Sequence, residues 1–256
     1  MPRDEFLLLA TALADAAGAA IRPYFRKPIA VDDKPDASPV TAADRAAERA
    51  MRALIERRCP DHGIIGEEFD ALRPEAEFVW VLDPIDGTKS FISGVPLFGT
   101  LIALTRRGRP ILGIIDQPIS RERWIGAEGR ATTLNGAAIR VRPCPDLAAA
   151  TLFATTPDMF AGTDAPAFAR LKRATKLVRF GADCYAYGLV AAGCIDLVVE
   201  ASLKPYDFCP MAPIIEGAGG IVTDWRGAGL DLAADGHVLA AGDKTAHRAA
   251  LERLGF

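Results

Sequence analysis

Two aspartates three residues apart stand directly behind an apolar run in the first half of the chain. The run covers residues 78–82 and reads FVWVL, and residues 83–88 continue it as DPIDGT. Paired carboxylates beside a glycine, which lets the backbone approach closely, suit a hard divalent cation. The Gly87-Thr88 step offers backbone N–H groups and a hydroxyl to an anion such as phosphate. Taken alone, the segment is explained more simply as a strand followed by an Asp-Gly turn. The choice between a turn and a metal site therefore depends on the rest of the chain.

Other acidic residues of the first half stand where a predicted element begins or ends. Thr41 with Asp44 three positions later resembles a helix capping box. Asp44 is therefore either a cap or an acid held near a metal site. Glu67 and Glu68 follow a strand-like pair and a glycine, so one of them points inward or both are solvated.

The second half carries three comparable acids. Asp183 starts a predicted helix, Glu200 ends a predicted strand, and Asp207 precedes another helix. A capping role is the ordinary explanation for an acid just ahead of a helix. A contribution to the same site as Asp83 and Asp86 is the alternative.

The elements that would position these acids follow from hydrophobic periodicity and from turn residues. Predicted helices span residues 4–25, 41–58, 165–174, 184–192, 210–218 and 244–254. Predicted strands are 64–65, 78–82, 97–104, 110–116, 124–127, 139–141, 151–155, 177–180, 195–200, 221–225 and 238–241. Residues 27–39, which include Lys34, are polar and proline-rich and indicate a loop. The first half thus predicts helices followed by an antiparallel sheet, and the second half alternates as α/β proteins do.

Composition bounds the class of protein. The chain has 256 residues, half of them hydrophobic and 25% charged, which is enough for one large domain or two small ones. We predict one unit of two halves, about 1–144 and 145–256, joined at the turn of residues 143–146. The net charge of −3 argues against a nucleic-acid or membrane-surface binder. No apolar run approaches the ~20 residues of a membrane span, and the N-terminus lacks a signal-peptide pattern.

Cysteine and histidine usage narrows the chemistry further. Five cysteines form no C-x-x-C pair, and an odd count favours a reduced, cytoplasmic protein. The three histidines have no Cys or His partner at zinc-ligand spacing, so a zinc site is not expected. No cysteine, serine or histidine nucleophile constellation is evident, which favours direct attack by metal-activated water over a covalent intermediate.

Taken together, the acidic segments resemble the inositol monophosphatase-like family of magnesium-dependent phosphatases. The resemblance rests on WVLDPIDGT at 80–88 with GEE at 66–68, on YD at 206–207 followed by EGAGG at 216–220, and on VTAAD at 40–44. It covers nearly the whole chain in order. It implies a mixed α/β (α+β) fold, a layered α-β-α-β-α sandwich with a site between its two halves.

The resemblance also implies roles for individual residues. Two or three Mg²⁺ ions would be held by Glu67, Asp83, the backbone carbonyl of Ile85, Asp86 and Asp207. All of these except Asp83 would also contact the substrate. Thr88 with Glu67 would position and activate the attacking water. Asp44 would support Thr88 and a further metal, and the backbone of Gly87 and Thr88 would hold phosphate.

Within that family, the second half is similar to the histidinol-phosphatase branch. The similarity lies in RFGADCYAYG at 179–188, IDLVVE at 195–200 and LKPYD at 203–207. Tyr206 stands where the broader family commonly has tryptophan. Histidinol is cationic near neutral pH, so Asp183 and Glu200 could bind it, although carboxylates also accept hydrogen bonds from inositol hydroxyls. Arg179 contacts the substrate in this interpretation or is an ordinary surface arginine.

The sequence therefore predicts a magnesium-dependent L-histidinol-phosphate phosphatase of histidine biosynthesis, cytoplasmic and, by family resemblance, a homodimer. An inositol-1-phosphate or broad sugar-phosphate phosphatase is the first alternative. A catalytically silent, magnesium-dependent binding or regulatory protein is the second. The small-molecule phosphate monoester is the expected partner, with neither nucleic acid nor membrane involved.

Overall fold

The computed structural model describes residues 4–33 and 39–255, which form two sheets separated and flanked by helices. The helices are α1 (Asp4–Ile21), α2 (Ala42–Arg58), α3 (Thr88–Ile92), α4 (Asp164–Ala174), α5 (Tyr185–Ala191), α6 (Pro205–Phe208), α7 (Met211–Gly217) and α8 (Lys244–Leu254). The strands are β1 (Val31–Asp33), β2 (Pro39–Thr41), β3 (Gly63–Gly66), β4 (Phe78–Asp86), β5 (Gly99–Arg106), β6 (Arg109–Gln117), β7 (Glu122–Ala127), β8 (Thr133–Leu134), β9 (Ala137–Ala138), β10 (Thr151–Ala154), β11 (Leu177–Phe180), β12 (Leu197–Glu200), β13 (Ile221–Thr223) and β14 (Val238–Ala241).

The first sheet has seven strands in sequence order, β3 to β9. Strands β3 and β4 are parallel and the remaining neighbours are antiparallel. The second sheet has five strands in the order β11-β10-β12-β14-β13. Its β11, β10 and β12 run parallel, whereas β14 is antiparallel to both β12 and β13. The short strands β1 and β2 pair antiparallel to each other.

Both faces of each sheet are covered by helices, which explains the continuous apolar runs in the sequence. On β4, Val79 and Val81 face the core shared with α5 and α7, whereas Trp80 and Leu82 face α1 and α2. A third core lies between the second sheet and helices α4 and α8. The molecule is thus layered helix, sheet, helix, sheet, helix, which confirms the predicted architecture.

Several local predictions were wrong. Residues 139–141 do not form a strand, because the N–H groups of Ile139 and Val141 bind Thr132 O and Ala218 O instead of a sheet neighbour. The first sheet is not wholly antiparallel, and the predicted loop of residues 27–39 contains β1 and the first residue of β2. Helix α6 was missed, and Lys34 lies outside the described residues. The division near residue 144 stays a prediction.

None of the described helices is both long and apolar enough to cross a membrane.

A buried histidine in the outer helical layer makes stability depend on pH. His247 of α8 is 4% exposed, and its Nε2 lies 2.9 Å from Thr223 Oγ1. The Thr223 hydroxyl donates to Asp224 O, so it accepts from a neutral His247 ring. Burial lowers the pKa of His247 to about 4. The unfolded chain, with a pKa of about 6.5, therefore takes up a proton that the folded protein does not.

We expect the free energy of unfolding to fall as the pH drops from about 6.5 to 4, by up to about 3 kcal/mol from this group. His247→Gln, whose amide can still donate to Thr223, should flatten that part of the fall. Urea unfolding followed by circular dichroism at a series of pH values measures the difference. Parallel curves for the two proteins would contradict the assignment.

Candidate active site

Three aspartates from distant parts of the chain converge where β4 ends. Asp83 and Asp86 lie on either side of a register shift between β4 and β5, and Asp207 lies in α6. One carboxylate oxygen from each lies within 4.8 Å of the others. A strand end facing the middle helical layer is where layered α/β folds place ligands. The predicted metal ligands Asp83, Asp86 and Asp207 are therefore together in space.

Each of these aspartates is oriented by one backbone N–H group. Asp83 Oδ1 accepts from Ile85 N at 2.9 Å, which closes the turn at the strand end. Asp86 Oδ2 accepts from Cys184 N at 2.6 Å, which ties β4 to the segment preceding α5. Asp207 Oδ2 accepts from Lys204 N at 2.7 Å. A carboxylate has more acceptor sites than one such bond uses, so capacity remains for a cation.

The electrostatics of the cluster also favour a bound cation. Burial, and then the charges of Glu67, Asp86 and Asp207, raise the pKa of Asp83 well above its usual range. Burial and the neighbouring Asp183 and Asp207 do the same for Asp86. Burial raises the pKa of Asp207 to about 7, with Glu67 adding to the rise and the Lys204 amide opposing it.

Within residues 4–33 and 39–255, no arginine or lysine forms an ion pair with these three aspartates. Carboxylates buried together repel one another unless a proton or a cation intervenes. Oxygen-only ligands of this kind match hard divalent cations such as Mg²⁺. The residues present therefore fit a metal site.

Asp44 has the capping role that the sequence allowed, and its role near a metal stays a prediction. Its Oδ2 accepts from Thr41 N at 2.8 Å and from Thr41 Oγ1 at 2.6 Å, so the capping box at the start of α2 is present. Its Oδ1 is buried and has no hydrogen-bond partner among residues 4–33 and 39–255. Burial raises the pKa of Asp44, and the charge of Glu67 adds to the rise. An unpartnered buried carboxylate oxygen is expected to receive a donor or a cation.

The segment between the two aspartates and α3 is shaped by one glycine. Gly87 has a φ of 83°, and a Cβ there would lie 3.0 Å from Asp183 Oδ2. Thr88 Oγ1 donates to Ile85 O at 3.1 Å. Glu67 reaches the same place from the loop after β3, because its side chain hydrogen bonds to Asp83. The structure thus brings Glu67, Ile85, Gly87 and Thr88 to the cluster.

A second pair of acids lies beside the cluster. Asp183, with a φ of 45°, accepts from Ser90 Oγ at 3.0 Å. Glu200 at the end of β12 accepts from Thr155 N at 3.0 Å and from Tyr187 OH at 2.8 Å. Burial raises the pKa of Glu200 to about 7, against the hydrogen bonds from Thr155 and Tyr187, and the charge of Asp183 adds to the rise.

Arg179 is a predicted site residue whose contacts with other described residues do not include the acids, so its role stays a prediction. It is exposed on the edge strand β11, with its guanidinium 5.8 Å from the centroid of the Phe153 ring. The contacts described for it therefore match those of an ordinary surface arginine.

Several residues that shape the site were not singled out from the sequence. Ser90, Thr155 and Tyr187 hold Asp183 and Glu200, and the Cys184 amide holds Asp86. Tyr187 stands inside a helix predicted from its apolar pattern, where an aromatic residue indicates core. Its hydroxyl points to a partner on another element, and no local signal identifies such a pair.

Comparisons with known proteins agree with this geometry. The sequence profile of the inositol monophosphatase family matches residues 3–255. The Arabidopsis thaliana protein named bifunctional phosphatase IMPL2, chloroplastic, is 51% identical over an alignment of 260 positions that covers 98% of this chain and 75% of the relative. A histidinol-phosphatase of Chlorobaculum parvum is 39% identical over 225 residues, 86% of each chain.

A solved structure of an inositol monophosphatase from Zymomonas mobilis superimposes with a TM-score of 0.92 at 48% identity, over 99% of this chain and 98% of that one. The sequence profile and these named phosphatases agree on the family and differ in the substrate that their names give. The chain therefore belongs to the inositol monophosphatase family and is a phosphoric monoester hydrolase.

Proposed function

We propose that this protein is a Mg²⁺-dependent phosphatase that hydrolyses L-histidinol phosphate. The observation that carries the choice of substrate is the second pair of acids. Asp183 and Glu200 lie beside the metal-binding aspartates, each held by hydrogen bonds to its carboxylate. A carboxylate fixed in this way can accept a charge-assisted hydrogen bond from an ammonium or imidazolium group. Histidinol carries both groups at its non-phosphate end.

The charge balance of the site supports a cationic substrate. The carboxylates in and around the cluster are those of Asp44, Glu67, Asp83, Asp86, Asp183, Glu200 and Asp207. Within residues 4–33 and 39–255, lysine charges that act on them include those of Lys89, near Asp183, and Lys204, near Asp207. Even two divalent cations leave this set negative once a phosphate dianion is bound. A positively charged leaving group offsets part of the remainder, whereas an inositol ring does not.

Glu67, Asp83, Asp86, Asp207 and the carbonyl of Ile85 would hold Mg²⁺. Bound there, Mg²⁺ would neutralise the phosphate dianion, acidify a water molecule and stabilise the leaving oxygen. The Ile85 carbonyl has two lone pairs, so it can serve as a ligand while it accepts the Thr88 hydroxyl.

The protein's own groups then guide the water. Thr88 Oγ1 donates to Ile85 O, so its lone pairs accept a hydrogen of the attacking water. A carboxylate oxygen of Glu67 accepts the proton that the water loses as its oxygen bonds to phosphorus. The ester P–O bond breaks on the opposite side, and the leaving alkoxide takes up a proton from solvent water. The backbone at Gly87 and Thr88 contacts phosphate, and Asp44 supports the site from α2.

The test is phosphate release from L-histidinol phosphate and from inositol 1-phosphate, measured side by side with purified protein and titrated Mg²⁺. We expect a higher kcat/KM for histidinol phosphate and no release without a divalent cation. A preference for inositol 1-phosphate would overturn the substrate assignment and leave the phosphatase mechanism in place.

A second candidate substrate class is inositol 1-phosphate or a sugar phosphate. The observation in its favour is the 48% identity with the Zymomonas mobilis protein, whose structure is named for an inositol monophosphatase. Inositol hydroxyls could donate to the same oxygens of Asp183 and Glu200. The side-by-side assay separates the two candidates.

Glu200→Gln should show whether Glu200 binds a cationic group of the substrate or accepts a hydrogen bond from any donor. It removes the charge but keeps the shape, so kcat/KM for histidinol phosphate should fall about 10- to 100-fold. The value for inositol 1-phosphate should fall much less, because a hydroxyl donor can still bind the amide oxygen. Glu122→Gln is the matched control, since Glu122 also accepts from a tyrosine hydroxyl, that of Tyr185 at 2.7 Å. Equal losses for both substrates would refute the role of Glu200.

The proposal includes a homodimer in the cytoplasm. An exposed edge of the second sheet supports the dimer, since Leu177 on β11 is 49% exposed. Sedimentation equilibrium of the purified protein tests it.

A further inference from the structure

Helix α2 places a second buried carboxylate one turn after Asp44. Glu48 is 0% exposed, and each of its oxygens accepts one strong hydrogen bond. Oε1 accepts from Arg52 Nε at 2.7 Å, and Oε2 accepts from the backbone N–H of Glu68 at 2.8 Å. The carboxylate thus connects α2 to the loop that follows β3.

Arg52 extends the same connection by one residue. Its side chain is 11% exposed, and its Nη2 donates to Phe69 O at 2.9 Å. Its guanidinium also lies 5.7 Å from the centroid of the Phe69 ring. Two side chains of α2 therefore hold the backbone at residues 68 and 69.

The carboxylate also lies against the backbone at the end of β3. A Cβ built at Gly66 would be 1.9 Å from Glu48 Oε1 and 2.8 Å from Oε2. No other residue type fits while Glu48 keeps this place. Glu67 lies between Gly66 and Glu68, and both of its neighbours are in contact with Glu48.

We propose that Glu48 and Arg52 are positioning residues that fix the backbone on both sides of Glu67 and so aim its carboxylate at the metal-binding aspartates. The inference rests on the metal and proton-accepting role proposed above for Glu67, and it does not depend on which phosphate ester is hydrolysed. Residues 67–71 belong to no helix or strand, although the N–H of Glu67 still bonds to Leu82 O of β4 at 3.2 Å. The contacts from α2 to Glu68 and Phe69 therefore add to that one backbone bond and fix the segment on the far side of Glu67.

The energetics of the pair favour a positioning role over a simple stabilising one. A buried ion pair is poor at increasing stability, because desolvation offsets much of the attraction. Here one oxygen of Glu48 accepts from the backbone of Glu68, and one NH₂ group of Arg52 donates to the backbone of Phe69. Both backbone groups belong to one short loop. Residues that orient metal ligands in this way typically change metal affinity or activity 10- to 100-fold when replaced.

The test is isothermal titration calorimetry of the full-length protein with Mg²⁺, together with kcat for L-histidinol phosphate and inositol 1-phosphate. Glu48→Gln turns one acceptor into an NH₂ group and loses the bond to Arg52 or to Glu68. We expect the dissociation constant of Mg²⁺ to rise and kcat to fall, each by about 10- to 100-fold, with the same factor for both substrates. Arg52→Lys, which cannot reach Glu48 and Phe69 together, should give a smaller change in the same direction.

Asp196→Asn is the matched control. Asp196 is 1% exposed and likewise accepts from an arginine and a backbone N–H, Arg142 at 2.7 Å and Thr151 at 2.7 Å. It lies at the opposite end of β12 from Glu200. We expect the Asp196→Asn substitution to lower the melting temperature and to leave the Mg²⁺ affinity unchanged.

Unchanged Mg²⁺ affinity and kcat in both α2 variants, with only a lower melting temperature, would overturn the positioning role and leave the phosphatase proposal intact. A wild-type protein that binds no divalent cation would overturn the metal role of Glu67 and this inference with it. A loss confined to one of the two substrates would also contradict it.

Discussion

Replacing Asp86 by asparagine is expected to lower kcat by about a thousandfold or more for every phosphate monoester. One oxygen of the carboxylate lies within 4.8 Å of those of Asp83 and Asp207, and the carboxylate also accepts hydrogen bonds from the backbone amide and the thiol of Cys184. Asparagine can still accept that amide hydrogen, so the fold should survive. The lost charge weakens the cation site at the point where phosphate charge must be offset.

The same substitution should stabilise the protein when no metal is present. Burial and the neighbouring Asp183 and Asp207 already disfavour the ionised form of Asp86, as its raised pKa indicates. A neutral side chain removes that repulsion, so the melting temperature in EDTA should rise. The increase in melting temperature on adding Mg²⁺ should shrink, because less metal binding is linked to folding.

Asp116→Asn is the control for this pair of measurements. Asp116 is also buried, but Arg123 Nε lies 2.6 Å from its carboxylate. Its replacement should lower the melting temperature both with and without Mg²⁺. The increase in melting temperature on adding Mg²⁺ should stay unchanged. A kcat for Asp86→Asn within a few-fold of wild type would contradict the metal assignment.

The layered fold could be predicted because its signals are local. Strand β4 reads as one apolar run since both of its faces are covered, and β11 and α8 have the bounds that the sequence predicts. Thr41 and Asp44 form the predicted capping box, a motif whose partners are three residues apart. Where the partner of a residue is close in sequence, pattern reasoning is enough.

The short local elements β1, β2 and α6 were also missed, but the errors that concern the site fall where the partner is distant in sequence. Residues 139–141 have the composition of a strand, but Val141 N bonds to Ala218 O at the end of α7, and nothing local reveals that bond. Glu48 reaches Glu68 across 20 residues, and Tyr187 reaches Glu200 across 13. The acids themselves could be found from motifs, whereas the groups that orient them could not.

The site also shows why local rules fail there. Asp183 adopts a left-handed backbone conformation that a non-glycine residue rarely takes. Asp44 Oδ1 is buried and finds no partner in the part of the chain that the structure describes. Both features lower stability, and both occur beside the converging aspartates. Such departures from the usual local preferences are expected at functional sites, where ligand binding compensates for the lower stability of the folded protein.

Thr88→Ala is expected to lower kcat about a hundredfold while KM changes little. The Thr88 hydroxyl donates to Ile85 O at 3.1 Å, which leaves its oxygen free to orient the attacking water. Orientation of the nucleophile matters most in the transition state, so its loss should appear in kcat rather than in substrate binding. Steady-state kinetics with saturating Mg²⁺ measures both constants.

Thr88→Ser separates this role from packing. Serine keeps the hydroxyl and loses one methyl group, so kcat should recover to within a few-fold of wild type. Alanine and serine variants with equally low kcat would show that the methyl group or the start of α3 matters instead of the hydroxyl. A rise in KM at constant kcat in the alanine variant would place Thr88 in substrate binding and leave the activation of water to Glu67.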